Sequence, residues 1–170
     1  ASDVYKRQAY NLKIFIDEAR AKGAHPILVT PTSRRRFDEN GKSVNTHGDY
    51  PDAVRWVAAK ENVPLIELNG MTAILFNALG VDNSTKAFVH YPAGTFPGQT
   101  RTLKDNTHFS TYGAYEVSKC VIEGMKKADL EIVKYLRPDY SGFDPAQPDS
   151  FESFKWNLGS FTENEKPDGN

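Results

Sequence analysis

The sequence has a single cysteine, no long apolar run and almost no net charge. Cys120 alone cannot form a disulfide within the chain or a thiolate cluster around a metal ion. Lysine and arginine number 21 against 22 aspartate and glutamate residues, for a net charge of −1. This balance provides no basic surface for a nucleic acid. Apolar runs such as residues 26–29 fall far short of the ~20 residues that a membrane span needs. We therefore expect neither a nucleic acid nor a membrane as a partner.

What the sequence does contain is the composition of one globular domain. Its 170 residues are 39% apolar and 25% charged, which are ordinary values for a folded protein with a core. Residues 1–8 include no apolar segment of the kind that a secretory signal peptide carries. One domain is therefore the organisation to expect.

Helical and strand patterns alternate along the first 70 residues. The first predicted helix has an apolar stripe at i, i+3, i+4 and i+7, formed by Leu12, Phe15, Ile16 and Ala19. A short apolar run at residues 27–29 predicts a buried strand. A helix with Asp49 as its N-cap follows, and residues 64–68 predict a second strand. This alternation is typical of α/β folds with a parallel sheet.

The second half of the chain predicts two more helices on either side of a long loop. Asn69 is the expected N-cap of a third helix, which ends before Gly80. Residues 87–108 are predicted to form a loop of about twenty residues, a length typical of functional loops. Ser110 or Thr111 is the expected N-cap of a fourth helix. That helix carries Cys120 on or beside its apolar stripe, as a core residue.

The sharpest chemical signal is Asp105-Asn106-Thr107-His108, between the long loop and the fourth helix. An aspartate three residues before a histidine can place its carboxylate against the imidazole Nδ1–H and leave Nε2 free. A hydrolase uses this arrangement to take a proton from a serine hydroxyl and return it to a leaving group. The spacing alone equally fits a turn-capping aspartate beside an ordinary histidine. The position at a loop–helix junction favours the catalytic interpretation.

Residues 105–114 resemble the last conserved block of the SGNH (GDSL) hydrolases, and more narrowly that of their rhamnogalacturonan acetylesterase branch. Three further segments agree with that branch in the expected order, at residues 27–37, 46–51 and 63–68. The resemblance covers roughly residues 11–127. Together the four segments are specific, whereas any one alone would be weak.

The resemblance implies a three-layer αβα sandwich around a five-stranded parallel sheet of flavodoxin-like order. It implies a serine esterase, without a cofactor, that removes acetyl groups from a rhamnogalacturonan-like pectin and is secreted or periplasmic in its full-length form. The catalytic groups of the family are a serine in an early Gly-Asp-Ser block, an oxyanion hole, and an aspartate and a histidine in the late block. Only the late block can be matched here, to Asp105 and His108.

Two blocks of that family have no counterpart in this sequence. Gly-Asp-Ser does not occur, and neither does the Gly-Xaa-Asn-Asp block that supplies an oxyanion-hole asparagine. We therefore expect a C-terminal part of such an esterase, with the N-terminal strands missing and no activity alone. Residues 1–8 match nothing in the family and resemble a translated sequencing adapter, so they are expected to be a non-native leader. Residues 9–137 then form the hydrolase part, and residues 138–170 an irregular, aromatic-rich segment packed on it and fraying at its end.

Three other functions remain open at this point. The first is another GDSL-type esterase or lipase. The second is a metal-dependent hydrolase that uses Asp105, His108, His90 and His47, although the chain has no His-Xaa-His or His-Glu-Xaa-Xaa-His motif. The third is a non-catalytic carbohydrate-binding module that uses the aromatic residues of the C-terminal segment.

Serine and arginine side chains near the predicted site each allow two interpretations. Ser110 and Ser33 are the candidate substitute nucleophiles, but Ser110 is more simply a helix cap. Arg34 and Arg35 could bind a galacturonate carboxylate through their planar guanidinium groups. They could equally pair with Asp49 or Glu67 as part of the scaffold.

Overall fold

The structure is a computed structural model and describes residues 3–155. Its α-helices and strands are α1 (Asp3–Ala21), β1 (Leu28–Val29), α2 (Tyr50–Lys60), β2 (Leu65–Ile66), α3 (Leu68–Asn83), β3 (Phe88–Tyr91), β4 (Leu103–Phe109) and α4 (Thr111–Lys127). Two 3₁₀ helices lie at Ser84–Ala87 and Glu131–Tyr135. The last residues, which were expected to fray, lie outside the described residues. Trp156 and Phe161, two aromatic residues of the predicted C-terminal segment, also lie outside them. No described helix is long and apolar enough to cross a membrane.

The two predicted strands pair in parallel, as the alternating pattern indicated. Leu28 lies opposite Leu65, and Val29 lies opposite Ile66. The ladder continues one residue further, where the Thr30 N–H donates to the Ile66 carbonyl at 3.1 Å. Within residues 3–155 the other edge of β1 pairs with no strand. The mixed α/β fold is thus confirmed, while the five-stranded order stays a prediction.

Two apolar clusters lie beside this pair of strands, and each belongs to a different pair of helices. Leu28 packs against the cluster between α1 and α2, which is formed by Ala9, Ile16, Val57 and Val63. Ile66 belongs to a larger cluster with α3, β3 and α4, whose other members are Leu68, Leu75, Phe76, Ala87, Phe88, Tyr112, Val117 and Cys120. Helices therefore cover the strands from two sides, as an αβα sandwich requires.

Helix α4 approaches its neighbours so closely that two of its positions leave no room for a side chain. A Cβ atom on Gly113 would lie 1.9 Å from the Ala87 carbonyl oxygen, and one on Gly124 would lie 2.5 Å from Ile66 Cγ2. Cys120 lies between these glycines, is fully buried as predicted, and burial raises the pKa of its thiol to about 12. Because Gly113 lies directly against the main chain of Ala87, α4 cannot move closer to that segment without displacing it.

The long loop predicted at residues 87–108 is wrong in one respect, because both of its ends are strands. β3 and β4 pair antiparallel, with Phe88 opposite Phe109 and His90 opposite Lys104. The rings of Phe88 and Phe109 lie 5.0 Å apart and both lie close to Phe76. Burial of these aromatic side chains against α3 favours pairing, although prolines and glycines in the connection indicated a loop.

The caps of the last two long helices were predicted with mixed success. Ser110 caps α4 as expected, with its Oγ accepting from the Gly113 N–H at 3.1 Å. Asn69 does not cap α3, because Glu67 takes that position and accepts from the Gly70 N–H. The backbone of Gly80 is not helical, with φ 74° and ψ 178°, so the regular part of α3 ends before it as predicted, and a short second helical piece follows within the same range.

The described part of the C-terminal segment packs on α4 through aromatic and charged side chains. Tyr112 contacts the rings of Phe151 and Phe154, and its hydroxyl donates to the Asp149 carbonyl at 2.7 Å. Lys119 Nζ lies 2.8 Å from the buried Glu116 carboxylate and 2.7 Å from that of Asp149. Burial raises the pKa of Glu116, and the lysine ammonium opposes that rise.

Candidate active site

Asp105 and His108 form a hydrogen-bonded pair at the end of β4. The Nδ1 atom of His108 lies 2.6 Å from Asp105 Oδ2. The other carboxylate oxygen of Asp105 accepts the backbone N–H of Thr107 at 2.6 Å and that of His108 at 2.9 Å. The carboxylate acts only as an acceptor, so Nδ1 carries the proton and Nε2 is left as the open nitrogen. The side chain of His108 is 77% exposed, so that nitrogen can reach a reacting group.

The Asp105 side chain closes a turn at residues 105–108, within the stretch of β4 where the register with β3 shifts, and this turn holds the carboxylate in its charged form. Its pKa is lowered from 3.8 to about 2, first by the backbone N–H of His108, then by the His108 ring and the Thr107 N–H. Each of these donors binds the ionised carboxylate in preference to the neutral acid. A negative charge therefore lies against Nδ1 of His108.

Local structure on both sides fixes where this pair lies. On one side Phe109 packs into the aromatic cluster with Phe76 and Phe88. On the other side Ser110 begins α4, and its N–H donates to the Ala87 carbonyl at 3.1 Å. The pair thus occupies a strand–helix junction anchored in the larger core, where the sequence placed it between a loop and a helix.

A second set of polar contacts surrounds Asn106, the residue that follows Asp105. Asn106 Oδ1 lies 3.1 Å from Arg35 Nη1 and 2.9 Å from His90 Nε2. The backbone N–H of Arg35 donates to the Asn106 carbonyl at 2.9 Å. Each of the three residues was singled out separately in the sequence, in the arginine run, among the histidines and in the Asp105–His108 motif, but no pattern joined them because they come from distant segments.

The candidate substitute nucleophiles are both engaged in structural hydrogen bonds. Ser110 Oγ donates to the Lys86 carbonyl at 2.6 Å while it caps α4. Ser33 is buried, and its Oγ donates to the Asn69 carbonyl at 3.2 Å. Neither hydroxyl is hydrogen-bonded to His108, so the structure assigns neither of them to the Asp105–His108 pair.

The arginine that pairs with Glu67 is not one of those proposed from the sequence. Glu67 binds Arg55, which contacts its two carboxylate oxygens at 2.6 and 2.7 Å and also binds Asp52. Arg35 turns instead to Asn106. Arg34 is exposed and lines a surface cleft with residues that include Val29, Pro31, Thr46 and His47.

The four residues proposed as a metal site do not all come together. Among the described residues, no group of three or more histidine, cysteine, aspartate or glutamate side chains is placed to hold a metal ion. His47 Nε2 lies 2.8 Å from the Thr32 carbonyl, whereas His90 contacts Asn106. Asp105 and His108 contact each other in the hydrogen-bonded pair described above.

Two proteins of Bacillus subtilis strain 168 are similar to most of this chain. Rhamnogalacturonan acetylesterase RhgT is 44% identical over 125 residues, which are 74% of this chain and 54% of the relative. Probable rhamnogalacturonan acetylesterase YesY is 34% identical over 135 residues, which are 79% of this chain and 58% of the relative. The chain thus spans just over half the length of either protein. No family model matches it.

The fold is similar to that of protein YxiM from Bacillus subtilis, known from an X-ray crystal structure. The TM-score is 0.59 over 72% of this chain and 31% of that chain, with 22% sequence identity. At that level of identity the likeness shows the fold alone.

Proposed function

This chain belongs to the rhamnogalacturonan acetylesterase-like branch of the SGNH hydrolases, and on that premise we propose that it carries the acid–base pair of a serine esterase. The proposed reaction removes acetyl groups from a rhamnogalacturonan-like pectin. The observation that carries the proposal is the Asp105–His108 hydrogen bond, with an open Nε2 on an exposed ring. Acetylated polysaccharide or oligosaccharide is the proposed substrate, and the protein is proposed to be secreted or periplasmic.

The proposed mechanism assigns one role to each member of the pair. His108 Nε2 takes the proton of a serine hydroxyl as that oxygen attacks the acetyl carbonyl carbon. The same nitrogen then returns the proton to the sugar oxygen that leaves, and later activates the water that hydrolyses the acetyl-serine. Asp105 holds the ring through Nδ1 and stabilises its positive charge without taking the proton itself.

The serine and the oxyanion-hole donors are proposed to come from polypeptide that this chain does not contain. The sequence has no Gly-Asp-Ser, and Ser33 and Ser110 are engaged elsewhere. Loss of the nucleophile from a triad costs about a millionfold in turnover, and loss of one oxyanion donor costs roughly a hundredfold or more. We therefore propose that the chain alone does not hydrolyse acetyl esters.

The test joins this chain to the part of a relative that it does not span. A chimaera places the unmatched portion of RhgT ahead of residues 9–170, and acetate release from acetylated rhamnogalacturonan is measured. We expect release by the chimaera, none by the chain alone, and loss of at least a thousandfold in the His108→Ala chimaera. His25→Ala changes an exposed histidine outside the site and serves as the matched control.

Two results would contradict the proposal. Turnover of p-nitrophenyl acetate by the chain alone, abolished by His108→Ala, would show that its nucleophile lies within residues 1–170. A chimaera that melts cooperatively and hydrolyses long-chain lipid esters but not acetylated rhamnogalacturonan would make it a GDSL-type lipase instead.

A further inference from the structure

We infer that Arg35 is a positioning residue for the Asp105–His108 pair and that it acts through Asn106. The catalytic value of this positioning rests on the proposed function. The hydrogen bonds of Arg35 and Asn106 do not depend on it. No substrate contact is assigned to Arg35, which distinguishes it from a residue that binds a galacturonate carboxylate.

The side chain of Arg35 ties three separate parts of the chain together. Nη2 donates to the Val81 carbonyl at 2.5 Å, and Nε donates to Ser84 Oγ at 3.0 Å, both near the end of α3. Nη1 reaches Asn106 Oδ1 at 3.1 Å. Three donors of one planar guanidinium are thus used in three fixed directions, which an ammonium group on a flexible chain cannot reproduce.

The backbone of Arg35 makes a second contact with Asn106. Its N–H donates to the Asn106 carbonyl, so Asn106 is held by its side chain and by its main chain at once. The Asn106 carbonyl belongs to the peptide whose N–H, at Thr107, binds the Asp105 carboxylate. Holding that peptide plane therefore sets the direction of an N–H on which the carboxylate depends.

His90 completes the arrangement from the opposite strand. Arginine has only donors, so the Asn106 atom that faces it is the amide oxygen. The same oxygen faces His90 Nε2, which must therefore carry a proton and donate. Asn106 is held by donors from Arg35 and from β3, although its own side chain is exposed.

The test observes the His108 ring directly and needs no substrate. In the chain as it stands, ¹⁵N spectra of the neutral ring report the fraction of the Nδ1–H tautomer. Asp105→Asn sets the reference for a ring without its carboxylate. We expect Asn106→Ala and Arg35→Lys each to move that fraction at least halfway to this reference, with faster exchange of the Nδ1–H.

The two variants have complementary uses. Arg35→Lys keeps the positive charge and removes the planar geometry, so a change cannot be assigned to lost charge. Asn106→Ala leaves the Arg35 contacts to Val81 and Ser84 in place and alters an exposed side chain, so it decides the matter if Arg35→Lys does not fold. Arg36→Ala is the matched control, since Arg36 is an exposed neighbour of the same type.

The outcomes separate this inference from the proposed function. Wild-type tautomer fractions in folded Asn106→Ala would overturn the positioning role, as would an equal change in Arg36→Ala. Either result would leave the chimaera test unaffected, because that test depends on His108 itself. Conversely, an inactive chimaera would leave the measured coupling between Arg35 and His108 intact.

Discussion

The apolar side chains on the two sides of the parallel strands β1 and β2 are buried to different extents. On the α3–α4 side, Leu75, Phe76 and Cys120 are fully buried, and α4 touches backbone at Gly113. On the α1–α2 side the cluster is small, and large apolar side chains remain in water. Tyr10 is 69% exposed, Phe15 67% and Trp56 46%.

The difference between the two sides is one of degree. The α3–α4 side buries the larger apolar cluster and carries Asp105 and His108, although Ile74 on α3 is 47% exposed and Tyr115 on α4 is 40% exposed. The α1–α2 side and the open edge of β1 present apolar surface of the kind that normally contacts other polypeptide. The proposed source of the serine is expected to cover this second side.

The largest expected effect is on the free energy of unfolding and comes from a substitution at Gly113, on the tightly packed α3–α4 side. In Gly113→Ala the new Cβ would collide with the Ala87 carbonyl oxygen, and backbone must move. We expect a loss of about 3 kcal/mol or more in the free energy of unfolding, measured by urea denaturation. Gly70→Ala is the control, because its Cβ meets only ordinary contacts and α3 gains up to about 1 kcal/mol. Equal stabilities would show that the α4 contact is not tight.

A smaller effect is expected at the open edge of β1. Val29 is 43% exposed, and an unpaired apolar edge favours association between chains. We expect the unmodified chain to associate at micromolar concentration, and Val29→Lys to shift it toward monomer in sedimentation velocity experiments. Ile74→Lys alters a position on α3 that is 47% exposed and is expected to leave association unchanged. A monomeric chain that melts cooperatively would contradict the contrast between the two sides.

The smallest effect is local and depends on pH. Because the turn lowers the Asp105 pKa to about 2, its hydrogen bonds stabilise the turn fully above the ordinary value of 3.8. They are lost as the pH falls through about 2. The Thr107 and His108 amide resonances should therefore titrate with a midpoint near 2. Asp105→Asn should abolish that titration, and a midpoint at or above 3.8 would show that the turn does not hold the carboxylate.

Local patterns predicted the elements whose causes are local. The apolar stripe of α2 is buried where the periodicity placed it, at Ala53, Val54, Val57 and Ala58. Ser110 caps α4 because its side chain needs only the N–H three residues on. The Asp105–His108 hydrogen bond likewise spans three residues. Spacing, propensity and resemblance were sufficient for these features, while the catalytic role of the pair stays a prediction.

Features that depend on distant residues were missed. β3 and β4 form because Phe88 and Phe109 meet Phe76, and no local pattern contains that contact. Arg55 rather than Arg34 or Arg35 reaches Glu67, since the choice depends on how α2 packs beside β2. The sequence shows that an arginine can pair with Glu67, but which arginine does so depends on where the folded chain places each of them.

The attachment of the C-terminal segment to α4 has a consequence for how the protein opens. Asp149 gives its carboxylate to Lys119, its carbonyl to Tyr112, and its N–H to Glu116. Detaching Asp149 would remove one hydrogen-bond partner from each of three α4 side chains at once, and the ionisable side chains of Lys119 and Glu116 are shielded from water. The C-terminal segment should therefore detach from α4 in one cooperative step rather than residue by residue.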